Sequence, residues 1–240
     1  MTKIVIFDID NTLTESRSVI APSMAALLSR LLETVPVALI SGASMESMMR
    51  QVIRHMPNAE NGRLFALPTS GAEMRSFERG AWRASYSFPV GDAERRALFA
   101  GLSRVTGVPI SSLGHFIDDR GTQITYSGIG KDASLELKYA WDPTRSKRKA
   151  IIEALAPRVS GLSMASGGST SIDFTRQGID KAFGVSRLLT HLSIAPSEAT
   201  FIGDALDDGG NDAPVKSLGV VAVKTSSLAE TEGLIRALIK

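Results

Sequence analysis

The chain reads as an α/β protein: a doubly wound parallel sheet interrupted by an inserted α+β segment. Continuous apolar strands at both ends of the chain, helical periodicity between them, and a polar, alternating middle predict this class. Lys3-Ile4-Val5-Ile6-Phe7 is an apolar run that ends in acidic residues, as a strand buried on both faces of a parallel sheet would. Met24 to Leu32 carries apolar residues at helical spacing, and Val35 to Ile40 repeats the buried-strand pattern before Ser41-Gly42. The same grammar returns late in the chain. Asp180 to Leu192 reads as a helix, Thr200 to Gly203 and Gly219 to Val223 as strands, and Leu228 to Ile239 as a closing helix.

Between these ends lies a different texture. A helical segment, Ala93 to Val105, is mixed with alternating strands such as Gln123-Ile124-Thr125-Tyr126 and Ser171-Ile172-Asp173-Phe174. Gly80, Pro89, Gly91 and Gly178 punctuate its edges. The core is therefore expected over 1–84 and 179–240, with the insertion over 85–178.

Composition excludes several classes of function. With 240 residues and 43% hydrophobic content the chain can bury a full core. Its 27 Lys and Arg balance 25 Asp and Glu to a net +2, with no basic tail, so nucleic acid is not an expected partner. No apolar stretch approaches the roughly 20 residues that cross a bilayer. The absence of cysteine excludes disulfides, thiolate zinc sites and thiol nucleophiles. Together with an N-terminus lacking the layout of a secretion signal, it predicts a cytoplasmic protein.

Four short segments could carry chemistry. Asp8-Ile9-Asp10-Asn11-Thr12-Leu13-Thr14 sits where a strand ends, and ligand crevices in open α/β sheets lie at the carboxyl ends of strands. Two carboxylates so close repel unless a cation or a shared proton relieves them, although an isolated D-x-D reads equally well as a solvated turn. Ser41-Gly42-Ala43-Ser44 ends the second strand, where a hydroxyl can donate to a phosphate oxygen or simply cap a turn. Lys181 opens a helix against the dipole preference, which an adjacent anion would explain; a lone lysine there otherwise reads as a surface charge. Gly203-Asp204 ends a third strand and leads into Asp207-Asp208-Gly209-Gly210-Asn211-Asp212, an acidic, glycine-rich loop suited to a hard cation with oxygen ligands.

In this order the four segments resemble the motifs of the haloacid dehalogenase superfamily, phosphotransferases with a Rossmann-like core and an aspartate nucleophile. The resemblance implies Asp8 as nucleophile, Asp10 as acid/base, Ser41 and Lys181 as phosphate-holding groups, and Mg²⁺ held by Asp8, Asp10, Asp204 and Asp212. The insertion resembles the type-two cap of eukaryotic-type phosphomannomutases. That likeness rests on Phe116-Ile117-Asp118-Asp119-Arg120, Ser127-Gly128-Ile129-Gly130-Lys131, Glu136-Leu137-Lys138 and Gly167-Gly168-Ser169-Thr170-Ser171-Ile172-Asp173, with Arg17 nine residues after Asp8. It implies that Arg17, Arg120, Lys131, Lys138, Ser171 and Asp173 bind a sugar phosphate, the cationic groups gripping a second phosphate and the Ser/Asp pair the sugar hydroxyls. It also implies a hexose bisphosphate activator and a homodimer joined through the cap. A sugar-phosphate phosphatase on the same fold is the alternative, with water and not a sugar hydroxyl taking the phosphoryl group.

The sequence departs from that family at four places. Asn11 stands for a glycine, Lys131 and Lys138 for arginines, and Ala205-Leu206 for a Lys-Thr pair; the loop after Asp212 lacks a short acidic segment. An ammonium cannot make the bidentate fork of a guanidinium, so a weaker hold on the distal phosphate is expected. The basic run Arg145, Lys147, Arg148 and Lys149 reads as a solvated helix face, and Trp82 and Trp141 as packing residues.

Overall fold

A computed structural model describes residues 2–167 and 169–239. Gly168 of the glycine-rich stretch lies outside the described residues. The chain forms two compact units, residues 1–87 with 179–240, and residues 88–178.

The first unit contains a seven-stranded sheet in the order β11-β10-β1-β2-β3-β4-β5. Its strands are β1 (Ile4–Asp8), β2 (Val37–Ile40), β3 (Leu64–Leu67), β4 (Glu73–Glu78), β5 (Ala81–Ser87), β10 (Ala199–Gly203) and β11 (Val221–Lys224). The five from β11 to β3 are parallel, and the β4–β5 hairpin joins the edge antiparallel. Alternate residues of each central strand feed two apolar layers. Val5, Phe7, Val37 and Leu39 face helices α1 (Pro22–Thr34), α2 (Met45–Gln51) and α7 (Leu228–Ile239), whereas Ile4, Ile6, Ala38 and Ile40 face α6 (Lys181–Leu192). Burial on both sides is why these strands are continuously apolar, and each such side chain contributes about 1.5–3 kcal/mol.

Pro22 begins α1, where its missing N–H costs nothing. Asp180 caps α6 by accepting the Phe183 N–H at 2.9 Å. Gly71, with φ of +84°, and Gly184 on α6 touch backbone to backbone: a Cβ on Gly184 would lie 2.7 Å from Gly71 Cα. Tyr86 donates its hydroxyl to the Gly71 carbonyl at 3.0 Å and closes the same corner.

The second unit holds an antiparallel sheet in the order β6-β7-β9-β8, made of β6 (Ile117–Asp119), β7 (Gln123–Ser127), β8 (Leu162–Ser166) and β9 (Ser171–Arg176). Helices α3 (Asp92–Thr106) and α5 (Ser146–Leu155) share a core with it through Leu98, Leu102, Ile124, Leu155 and Phe174. The short α4 (Leu135–Trp141) precedes α5.

Sequence expectations differ from what is observed at several places, two of which bear on the second unit. Strand β5 runs to Ser87 because it pairs with β4 along its whole length, so the second unit begins at Phe88 and not at 85. Arg148 does not lie on a solvated face, for its guanidinium is buried against Asp142. Among the described residues no helix is long and apolar enough to cross a membrane.

Candidate active site

The order of the parallel strands determines where chemistry can occur. From β1 the chain winds outward through β2 and β3, then returns to place β10 on the other side of β1. Strand direction of travel therefore switches between β1 and β10, which opens a crevice at their carboxyl ends. Phe7 pairs with Ile202, so Asp8 ends its strand level with Gly203, and Asp204 follows directly.

Asp8 is 4% exposed, Lys181 1% and Asp212 fully buried. Lys181 Nζ donates to Asp8 Oδ1 and to Asp212 Oδ1, both at 2.6 Å. Asp212 Oδ2 also accepts the Ala205 N–H at 3.1 Å, which ties the acidic loop back to the strand it leaves. The loop can approach this closely only because residue 203 is glycine, since a Cβ there would collide with the Asp212 carboxylate. One carboxylate oxygen from each of Asp8, Asp204 and Asp212 lies within 4.8 Å of the others.

Three acids thus share one lysine, and the electrostatics follow from that imbalance. Burial, reinforced by the charges of Asp212 and Asp204 and opposed by Lys181, pushes the Asp8 carboxyl up to about 7. Burial followed by the Asp212 charge raises Asp204 as well. Burial alone would depress the Lys181 ammonium, but Asp8 and Asp212 outweigh it and raise it. The lysine gains from two partners while each acid faces two others, so an additional cation would relieve the site. The donors are all carboxylate oxygen, the set that a hard ion such as Mg²⁺ takes, and they fit it.

Other sequence-predicted residues are placed as follows. Asp10 stands outside the three-acid cluster, and its Oδ1 accepts the Arg17 backbone N–H at 2.6 Å. Arg17 adopts φ of +60° and is exposed. Ser41 is buried, its Oγ accepting the Ala43 N–H at 3.0 Å. In the second unit Arg120 Nη2 pairs with Asp118 at 2.8 Å. Lys138 Nζ donates to the Lys131 carbonyl at 2.7 Å, which brings those two lysines together. Ser171 and Asp173 project from one face of β9, and Asp173 Oδ1 accepts the Thr125 hydroxyl at 2.7 Å.

Sequence reasoning missed two roles. Asn11 holds φ of +59°, a region asparagine tolerates better than most residues, so the turn keeps the shape a glycine would give. Its Nδ2 also reaches Asp204 Oδ2 at 3.5 Å. Thr125 as a partner of Asp173 was readable only from cross-strand register, in which the two residues are paired.

Known proteins resemble this chain in fold and in sequence. A haloacid dehalogenase-like hydrolase of Bacteroides thetaiotaomicron has the same fold, with a TM-score of 0.70 over 99% of this chain and 98% of that one, at 18% identity. A probable phosphomannomutase of Caenorhabditis elegans is 27% identical over 87% of this chain and 84% of its own length. The phosphomannomutase of Schizosaccharomyces pombe is 26% identical over 87% and 83%. The eukaryotic phosphomannomutase family matches residues 24–230, a span that begins downstream of Asp8 and Asp10. On that match the chain belongs to the eukaryotic phosphomannomutase family.

Proposed function

We propose that this protein is a phosphomannomutase-like, Mg²⁺-dependent phosphotransferase that moves a phosphoryl group between the 6- and 1-positions of a hexose through an aspartyl-phosphate on Asp8. The observation that carries the reading is the buried Asp8 carboxylate at a strand end, held by Lys181 beside Asp204 and Asp212, in a chain of that family. Mg²⁺, held by Asp8, Asp204 and Asp212, would supply charge neutralisation for the phosphoryl oxygens.

The protein's own residues do the rest. A carboxylate oxygen of Asp8 forms a bond to phosphorus as the ester bond to the sugar breaks, and Asp10 delivers a proton to the departing sugar oxygen. In the return step Asp10 takes the proton from the free 1- or 6-hydroxyl of a hexose monophosphate, which attacks the aspartyl-phosphate, frees Asp8 and leaves a hexose bisphosphate that presents its other phosphate to Asp8 in the next turn. Lys181 orients the nucleophile through Oδ1 and offers positive charge to the phosphoryl group. Ser41 would donate to a phosphate oxygen, and Asn11 would steady Asp204.

Arg17, Arg120, Lys131 and Lys138 are assigned to the second phosphate, and Ser171 and Asp173 to the sugar hydroxyls. A hexose bisphosphate primer, a homodimer and a cytoplasmic location complete the reading. Mannose 6-phosphate, mannose 1-phosphate and glucose 1-phosphate, each with and without hexose 1,6-bisphosphate, test it by product analysis. Isomer formation that requires the bisphosphate is expected; phosphate release with no isomer would replace the mutase with a phosphatase. Mg²⁺ at about 100 times its dissociation constant is expected to stabilise the protein by about 2.7 kcal/mol, read as a rise in thermal midpoint that excess EDTA reverses.

A further inference from the structure

The second unit contains a buried ion pair to which none of the roles above gives a purpose. Arg148 and Asp142 are each 2% exposed, and Arg148 Nε donates to Asp142 Oδ2 at 2.8 Å. A pair of this kind seldom adds net stability over apolar packing, so its geometry is the better guide to its use.

That geometry joins two segments assigned to substrate. Asp142 follows α4, the helix that carries Lys138, and its carboxylate accepts the Lys147 and Arg148 N–H groups at 3.0 and 3.1 Å as α5 begins. Arg148 Nη2 donates to the Asp142 carbonyl at 3.1 Å. The remaining arm, Nη1, crosses to the carbonyl of Gly167 at 3.0 Å, in the turn between β8 and β9. Gly167 in turn donates its N–H to the Ser171 carbonyl at 2.9 Å, and a Cβ on it would lie 2.8 Å from Asp173 Oδ2. Ser171 and the Asp173 carboxylate therefore rest against the peptide that Arg148 holds.

We propose that Arg148 is a positioning residue for sugar-phosphate recognition, tying the helix that bears Lys138 to the hairpin that bears Ser171 and Asp173 so that a phosphate grip and a hydroxyl grip keep one spacing. Arg148 touches no substrate in this role. A guanidinium suits it because one planar fork reaches acceptors on three sides, which a single ammonium cannot do. The inference rests on the roles proposed for Lys138, Ser171 and Asp173.

The test compares wild type with Arg148→Lys, Arg148→Met and Gly167→Ala. Gly167→Ala leaves the ion pair intact and presses on the Ser171 and Asp173 side chains, so it remains informative where Arg148→Met fails to fold. Amide exchange in the β8–β9 turn is expected to quicken about tenfold in Arg148→Lys while α3 and β7 keep their protection. The KM for a hexose phosphate is expected to rise about tenfold in Arg148→Lys and in Gly167→Ala with kcat nearly constant, and p-nitrophenyl phosphate turnover to stay at the wild-type rate.

Unchanged exchange in that turn overturns the inference whatever the enzyme acts on. So does a hexose phosphate KM that neither variant moves, or an equal loss on both substrates. Wild-type protein that turns over no hexose phosphate removes the parent reading and this inference with it, a failure recognised before any variant is made.

Discussion

Among the described residues each unit buries one cluster of charge, and the two clusters differ in balance. In the second unit Arg148 and Asp142 match one to one, and the surplus donors of the guanidinium end on backbone carbonyls. In the first unit Asp8, Asp204 and Asp212 have a single lysine among them. Burial is common to both, so burial does not mark the site of chemistry. Excess charge does: the balanced cluster is complete within the protein, whereas the unbalanced one is completed only by something that binds.

Variants that delete an acid from each cluster test this contrast most severely. Asp8→Asn is expected to reduce turnover by about four orders of magnitude or more while the thermal midpoint stays level or rises, because it relieves a crowded site. Asp142→Ala should do the reverse, lowering the midpoint through a loss of about 3–5 kcal/mol of stability, because Arg148 is left buried without its carboxylate. A fall in midpoint for Asp8→Asn, measured by calorimetry without added metal, would erase the distinction. Lys181→Met is the converse experiment: it strands three acids and is expected to cost about 3–5 kcal/mol, part of which Mg²⁺ restores.

Within the second unit, acid titration probes the balanced pair. Burial would lift the Asp142 carboxyl, but the Arg148 guanidinium and the N–H groups of Lys147 and Arg148 outweigh it and hold the carboxyl below its ordinary value. Lys147, whose backbone N–H also meets that carboxylate, places its ammonium 5.4 Å over the Trp141 ring. A carboxyl lowered on folding contributes stability that is complete above its unfolded value of about 3.9 and is lost as pH falls through the lower folded value. The second unit is therefore expected to weaken below about pH 4, and Asp142→Asn to flatten that limb in a pH series of melting curves.

The smallest effect is expected at the lysines of the second unit. Lys138→Ala should weaken hexose phosphate binding by about 1 kcal/mol or less, because a partly solvated ammonium that already has the Lys131 carbonyl is a weak grip. Lys138→Arg should tighten KM a fewfold by restoring the fork.

What could be read from the sequence follows the same physics. Strands β1, β2 and β10 were legible because burial on both faces leaves an unbroken apolar signature, and α7 was bounded correctly from Leu228 to Ile239 by its period. The β4–β5 hairpin was not, since half-exposed strands such as Ala81–Ser87 alternate as the inserted segment does. Strand β11 starts at Val221 and not at Gly219, because Gly219 takes φ of +80° to end the preceding turn. Strand ends pointed to Asp8 and Asp204, but the fold of the loop that carries Asp212 onto Lys181 leaves no trace in residue spacing. Nor did the run from Arg145 to Lys149 reveal which of its cations turns inward; only Asp142, six residues before Arg148 and at the end of a helix, could have hinted at it.

The contact between Gly71 and Gly184 has a bearing on how this protein can change over generations. With no side chain between them, the distance from α6 to the neighbouring turn depends on main-chain atomic radii and not on the sizes of surrounding residues. Volume-conserving exchanges at Leu188 and Val185 would therefore leave the ammonium at the head of that helix in register with its acids. A side chain on either glycine would instead push the helix and the turn apart and carry the ammonium away from its acids.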